Sequence, residues 1–261
     1  MHVRGAVLSA ETPALVVPLV ADSAERLVSS AQKALAAGAD LVEWRADYWL
    51  AAAGPQATGH EVCDLLRMLR HSLGEAPLLF TVRTQAEGGL AVVDDSYAEL
   101  LAHVIRSGEA DMVDVEFRRR DAQELIRLAR AQDVATIASF HDFSATPRVD
   151  EMVSLLAGQE AMGASVAKLA VMPHNPEDVA ALLTATAQRS RTAGIPLMTM
   201  SMAGMGAISR IAGHVFGSAA TFGSLGQQAS APGQIPVESL RSLRDLMSQI
   251  NAESTSSADS L

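Results

Sequence analysis

Lys168 lies in the middle of "ASVAKLAV" (164–171), an apolar run of strand length, and the chain has only one other lysine, Lys33. An ammonium placed there costs on the order of several kcal/mol unless it is paired or gives up its proton. A lysine that is neutral near pH 7 attacks carbonyls and forms a Schiff base. Other polar residues recur at the ends of apolar runs. Glu43 and Arg45 are two apart in "LVEWR", and Asp114 and Glu116 repeat that spacing in "MVDVE". In a strand this places each pair on one side. Arg83 ends "PLLFTVR" with Glu87 just beyond, His141 and Asp142 follow "ATIASF", and Arg210 closes "MTMSMAGMGAISR". Singly, each has a plainer reading: Glu43 with Arg45 as an ion pair, Asp114 and Glu116 as partners of arginines, His141 as part of a helix cap. Together they describe an imine-forming lyase or aldolase acting on an anionic keto compound. Burial and the arginines Arg45, Arg83 and Arg210 would push the lysine pKa down from about 10.4 and hold the anion. A histidine would move protons at the carbon beside the iminium.

These residues need a scaffold that brings distant segments to one place. Strand-length apolar runs alternate with helical patterns: 14–20, 41–45, 77–83, 112–116, 135–140, 164–171, 196–200 and 219–223 read as strands. Asp22 with Glu25 resembles a capping box, opening a helix to about Ala37. Asn175, Pro176 and Gly194 read as cap, first turn and stop of another helix, and "ESLRSLRDLMSQI" is the last. The alternation predicts a single-domain (β/α)8 TIM barrel over residues 1–250, with "VRGAV" as an N-terminal hairpin closing its bottom. In such a barrel the C-terminal ends of the strands carry the active site, which is where the polar residues fall. A doubly wound sheet competes, but "LSAETP" offers no glycine-rich phosphate fingerprint. The polar tail 251–261 reads as disordered.

Composition narrows the partners. The chain has 261 residues, 49% of them hydrophobic, and a formal net charge of −10. With no basic face, nucleic acid and anionic membranes are excluded as partners, and the run Arg118-Arg119-Arg120 reads as a solvated turn. The single cysteine, Cys63, falls at an apolar helical position and reads as a buried, inert thiol. No signal peptide and no bilayer-length apolar stretch is visible, so a cytoplasmic setting is expected.

The segments "LVEWRADY", "PLLFTVRTQAEGG", "VDVE", "SFHDF", "VAKLAVMP", "MTMSMAGMGAISRIAGHVFGSAATFG" and "ASAPGQI" together resemble type I 3-dehydroquinate dehydratase, in the family's order from about Ala14 to Ile250. The resemblance implies a (β/α)8 barrel, a homodimer, no metal or organic cofactor, and syn elimination of water from 3-dehydroquinate to 3-dehydroshikimate in the shikimate pathway. It implies that Lys168 is the Schiff-base lysine, His141 the general acid/base, and Glu87 the carboxylate orienting His141. By the same pattern Glu43, Arg45 and Arg83 contact the ring hydroxyls of this small-molecule substrate, and Met200 and Met202 pack against its ring. Arg210, Ser230 and Gln234 would hold its carboxylate and C1 hydroxyl. One departure is Pro18, where some members have a serine near the end of the first strand.

Two readings compete. A class I aldolase shares barrel and lysine, and the glycines of "MAGMGAIS" could bind a phosphate; a catalytically silent barrel could bind only a metabolite or a partner protein. The stretch "GSLGQQASAPGQIP" (223–236) has little apolar surface. It is expected to be a mobile lid, open or poorly ordered without substrate, that brings Ser230 and Gln234 over the barrel mouth on closing.

Overall fold

The computed structural model describes residues 1–90, 96–226 and 231–250 in full, and the backbone of 251–258. The chain opens with an antiparallel hairpin, β1 (His2–Val3) and β2 (Ala6–Val7). It continues as β3 (Ala14–Leu19), α1 (Ala24–Ala36), β4 (Leu41–Arg45), α2 (Ala46–Ala53), α3 (Gly59–Leu73), β5 (Leu78–Thr81), α4 (Tyr97–Ser107), β6 (Met112–Glu116), α5 (Ala122–Ala131), β7 (Ala135–Asp142) and α6 (Val149–Ala161). The remainder is β8 (Val166–Val171), α7 (Pro176–Ser190), β9 (Leu197–Ser201), α8 (Ala207–Ala212), β10 (Ala220–Ser224), β11 (Ile235–Pro236) and α9 (Val237–Ala258).

Strands β3 to β9 pair in parallel in chain order, and β10 pairs with β3. A parallel bridge between Leu197 and Ser218 joins β9 to the start of β10 and closes the barrel. Such strands are covered on both faces, so they read as near-continuous apolar runs. Outside the barrel the helices bury an apolar stripe against the sheet around Trp44 and Phe80, whose rings meet edge-on at 5.5 Å. Inside, the lower layer is apolar: Val16, Leu41, Leu79, Met112, Ile137, Val166 and Met198, with Val3 of the hairpin and Leu8 just after it packed against them. Period-two alternation then stacks Glu43, Asp114, Ser139 and Lys168 above that layer, all buried.

Several local expectations change. The N-cap of α1 is Ser23 without a side-chain bond, and Asp22 instead pairs with Arg26 at 3.0 Å. A capping box forms at Thr58 and Glu61 on α3. Helix α7 starts as expected, with Asn175 accepting from the Asp178 amide at 2.9 Å, but stops at Ser190, before Gly194. The α9 backbone continues to Ala258, past the expected end at Ile250; "ESTSSA" holds neither proline nor glycine to stop it. Two of the three consecutive arginines do more than solvate a turn: Arg118 lies over the Phe140 ring and Arg119 over Tyr97, each at 4.2 Å. Only Arg120 of the three, with its side chain 94% exposed, is as expected. Cys63 is buried, which pushes its thiol pKa up. Among the described residues no helix is long and apolar enough to cross a membrane.

Candidate active site

The upper end of the barrel contains a pocket lined by Glu43, Arg45, Arg83, Glu87, His141, Lys168, Met200, Met202, Arg210 and Gln234, together with Gly88, Phe143, Ala170, Phe222 and Ala231. Most come from strand ends. Strand β7 runs two residues beyond the expected 135–140, so His141 is part of the strand, on the same side as Ser139. Arg83 lies two residues past the end of β5, and Arg210 stands on α8.

Lys168 is in register with Ser139 on β7 and Met198 on β9. Its Nζ lies 3.3 Å from Asp114 Oδ2 and 4.5 Å from the centroid of the Phe222 ring. The group it contacts is therefore a carboxylate, and the expected arginine neighbour, Arg83, binds the same Asp114 oxygen. Asp114 also accepts from Arg83 Nη2 at 2.9 Å and from Ser139 Oγ at 2.6 Å. Burial alone would raise the Asp114 pKa, but Arg83 and Lys168 outweigh it and hold the carboxyl below its ordinary value. Asp114 is thus a partner of an arginine, as its plain reading had it, and of the lysine as well.

Arg83 is the hub of the site. Its guanidinium reaches Glu87 at 3.3 Å, Glu116 at 3.1 Å and Ser139 at 3.1 Å. Glu116 in turn accepts from the Thr84 amide and hydroxyl. Glu87 sits at the end of a single 3₁₀ turn, Gln85–Glu87, capped by Gly88 in the left-handed region at φ +80°. Its Oε2 lies 2.8 Å from His141 Nδ1. Burial drives both partners toward their neutral forms. Glu87 is pushed up to about 8 against the pull of Arg83. His141 is carried well below its ordinary value by burial and by the charges of Arg83, Lys168 and Arg45. With Nδ1 engaged by Glu87, Nε2 is the ring nitrogen left for proton transfer.

Glu43 accepts from Thr81 Oγ1 at 2.7 Å. The expected ion partner of Glu43, Arg45, instead makes a two-pronged bond to Asp47, 2.8 Å at both Nε and Nη2. Sequence reading missed Asp47; an acidic residue two positions after a barrel arginine, in "WRAD", was the available signal. It equally missed Phe222, whose ring faces the lysine, and Phe143, stacked near His141 at 6.4 Å between centroids. Pro18 is in register with Glu43, so β3 offers no hydroxyl at that position.

Arg210 lines the same pocket, near Met200 Sδ at 3.7 Å and the Pro232 carbonyl at 3.4 Å. Burial lowers its pKa to about 10. The Pro232 carbonyl also accepts from the Ala203 amide at 3.1 Å. Residues 231–236 therefore lie over the pocket, with Ala231 and Gln234 lining it, where an open lid was expected. Ser230 lies outside the described residues. Among those described, no group of three or more His, Cys, Asp or Glu side chains gathers to hold a metal ion.

The sequence matches the family model "Type I 3-dehydroquinase" over residues 15–251. It is 43% identical over 251 residues to a 3-dehydroquinate dehydratase of Bacillus velezensis, covering 95% of this chain and 97% of that one. To the 3-dehydroquinate dehydratase of Bacillus subtilis it is 39% identical, covering 95% and 96%. Among solved structures, the 3-dehydroquinate dehydratase of Geobacillus kaustophilus superposes with a TM-score of 0.85 at 37% identity, covering 91% of each chain. The type I enzyme of Clostridium difficile, with covalently modified comenic acid, superposes with a TM-score of 0.84 at 37% identity, covering 91% and 93%.

Proposed function

The chain belongs to the type I 3-dehydroquinase family, and we propose that Lys168, His141 and Glu87 carry out that family's reaction in its pocket. The activity is that of a lyase: water is eliminated from 3-dehydroquinate through a Schiff base to give 3-dehydroshikimate, in the shikimate pathway. The observation that carries the assignment is one juxtaposition. The buried Lys168 amine lines the same pocket as His141, whose other ring nitrogen is fixed at 2.8 Å from Glu87.

In this reading the Lys168 amine attacks the C3 ketone, and the carbonyl oxygen leaves as water after His141 mediates the proton transfers. The resulting iminium acidifies the hydrogens at C2. Neutral His141 takes one of them, and the C–H electrons form an enamine. The enamine re-forms the iminium as the C1–O bond breaks, and the protonated His141 returns its proton to the departing hydroxide on the same face. A water molecule hydrolyses the product imine, restoring ketone and amine. A single residue acting as base and then acid accounts for the syn course.

Glu43, Arg45 and Arg83 supply acceptors and donors for the ring hydroxyls, and Arg210 supplies the charge for the carboxylate, with Gln234 lining the same pocket; a hydroxyl bond from Ser230 belongs to this reading but not to the described residues. Met200 and Met202 give the ring an adaptable apolar wall. An aldolase would instead need a phosphate seat near the glycines after β9. There, a Cβ on Gly206 would fall 2.3 Å from the Ser201 carbonyl, so that glycine is used for close backbone packing. We further propose that the protein works as a homodimer in the cytoplasm; sedimentation and cell fractionation test these two points.

The direct test is reduction with borohydride in the presence of 3-dehydroquinate, followed by peptide mass spectrometry. Ligand mass on Lys168 is expected. Mass on Lys33, or none in active enzyme, overturns the assignment.

A further inference from the structure

Asp47 is a fully buried carboxylate that the reaction does not use, and its bonds go to two parts of the site at once. Oδ1 accepts from Arg45 Nε at 2.8 Å and from the Arg83 backbone amide at 3.4 Å. Oδ2 accepts from Arg45 Nη2 at 2.8 Å and from the Leu90 amide at 3.2 Å. Residues 83–90 begin with Arg83, contain Glu87, and close on themselves through the Gly89 amide and the Thr84 carbonyl at 2.8 Å. The carboxylate, itself fully buried, thus binds the first and last residues of that segment and the guanidinium of Arg45. A charged acceptor with two bonds per oxygen fixes geometry in a way that a neutral amide of the same shape does not.

We propose that Asp47 is a positioning residue that sets two functions together: the aim of Arg45 at the substrate, and the placement of Glu87 against His141. The proposal rests on the roles given above to Arg45, Glu87 and His141. Elsewhere the segment has its own supports, since Glu116 holds Thr84 and Arg83 contacts Glu87 directly. The contribution of Asp47 is to tie the far end, at Leu90, to the same group that orients Arg45. Among the described residues, Asp47 is the carboxylate with hydrogen bonds from both Arg45 and Leu90.

Asp47→Asn keeps the shape but gives up acceptors, since an amide NH2 cannot accept from Arg45 or from Leu90. It should raise KM by about 10-fold through Arg45 and lower kcat by about 10-fold through Glu87 and His141. In an Arg45→Met background the guanidinium is gone, so Asp47→Asn should leave KM where Arg45→Met put it and still lower kcat by about the same factor. A variant that only loosens the fold would lower the melting temperature without this split. The wild-type protein gives a second reading that does not depend on the variant folding: the Leu90 and Arg83 amides should exchange with deuterium about 1,000-fold or more slower than free amides. Unprotected exchange at Leu90, or a kcat for Asp47→Asn in the Arg45→Met background equal to that of Arg45→Met alone, overturns the proposal. Both outcomes are distinct from failure of the functional reading itself, which would show as no borohydride-trapped adduct on Lys168 in the wild-type protein.

Discussion

Glu87→Gln separates what the buried carboxyl does for stability from what it does for chemistry. In the folded protein burial moves Glu87 from 4.5 up to about 8, although Arg83 pulls the other way. In the unfolded chain it titrates in the ordinary range, about 4.3. Because the folded value is the higher one, the carboxyl's contribution to stability is fully present below the unfolded value. It is lost as pH rises through the folded one. At about 1.36 kcal/mol for each pH unit, the loss between about pH 5 and about pH 9 comes to about 4 kcal/mol. Glutamine has the shape of the protonated acid and does not titrate, so the variant escapes this loss. The unfolding free energy of the variant minus that of wild type should therefore grow by about 4 kcal/mol across the interval. With an m-value of about 2 kcal/mol/M, the gap between urea midpoints should widen by about 2 M, well within reach of circular dichroism. Activity should move the other way: kcat should fall by about 10- to 100-fold, because an amide, unlike the carboxyl, cannot exchange a proton with Nδ1 and so supports the imidazole less well as it gains and loses its own. A gap that stays constant from acid to alkaline pH would refute the reasoning, and would mean that Arg83, 3.3 Å away, keeps Glu87 ionised throughout.

Lys168→Met should cut kcat by about 10,000-fold or more while the protein stays folded, because Arg83 and Ser139 still satisfy Asp114. The lost contact should cost about 1–3 kcal/mol, read from thermal unfolding; loss of the folded signal would give the lysine a structural role as well. His141→Ala should form imine slowly and accumulate it. Mass spectrometry after borohydride should find a trapped adduct on Lys168, and its absence while substrate still binds would limit His141 to steps before the imine. Gly233→Ala should raise KM by about 10-fold with little change in melting temperature, since its Cβ would fall 2.1 Å from the Ala203 carbonyl at φ +76° and lift residues 231–236 off the pocket. A KM equal to wild type would show that this cover is not needed for binding.

The order of strands and helices, the closed barrel and the sealing hairpin were legible in the sequence because they follow from local patterns. Parallel barrel strands are apolar on both sides, and helices repeat with a period near four, so each element declares itself within a dozen residues. Lys168 and His141 were legible for a related reason. A buried ammonium is costly enough to stand out, and the strand-end rule says where its companions must gather. Helix ends were read less well. Asp22 had the composition of a cap but bonds to Arg26, because an exposed carboxylate has a choice of partners that composition does not rank.

What the sequence by itself determined, then, was which residue types meet at the top of the barrel. Who bonds to whom was decided only by the tertiary structure. Arg45 could have paired with Glu43, yet Asp47 takes it with two bonds; Lys168 was expected among arginines, and the carboxylate of Asp114 stands as the shared partner of the lysine and Arg83, with the face of Phe222 beside it. The stretch 223–236 was expected to stand open or poorly ordered, yet in its described part the Pro232 carbonyl bonds Ala203 and Arg210. The physical reason is the same in each case. Period-two spacing fixes the side of the strand on which a residue lies, but pairing among several buried charges depends on differences of about an ångström in three dimensions. Those differences arise from strand register, from turns such as the one that carries Glu87, and from the closure of the sheet, all of which join segments far apart in the chain.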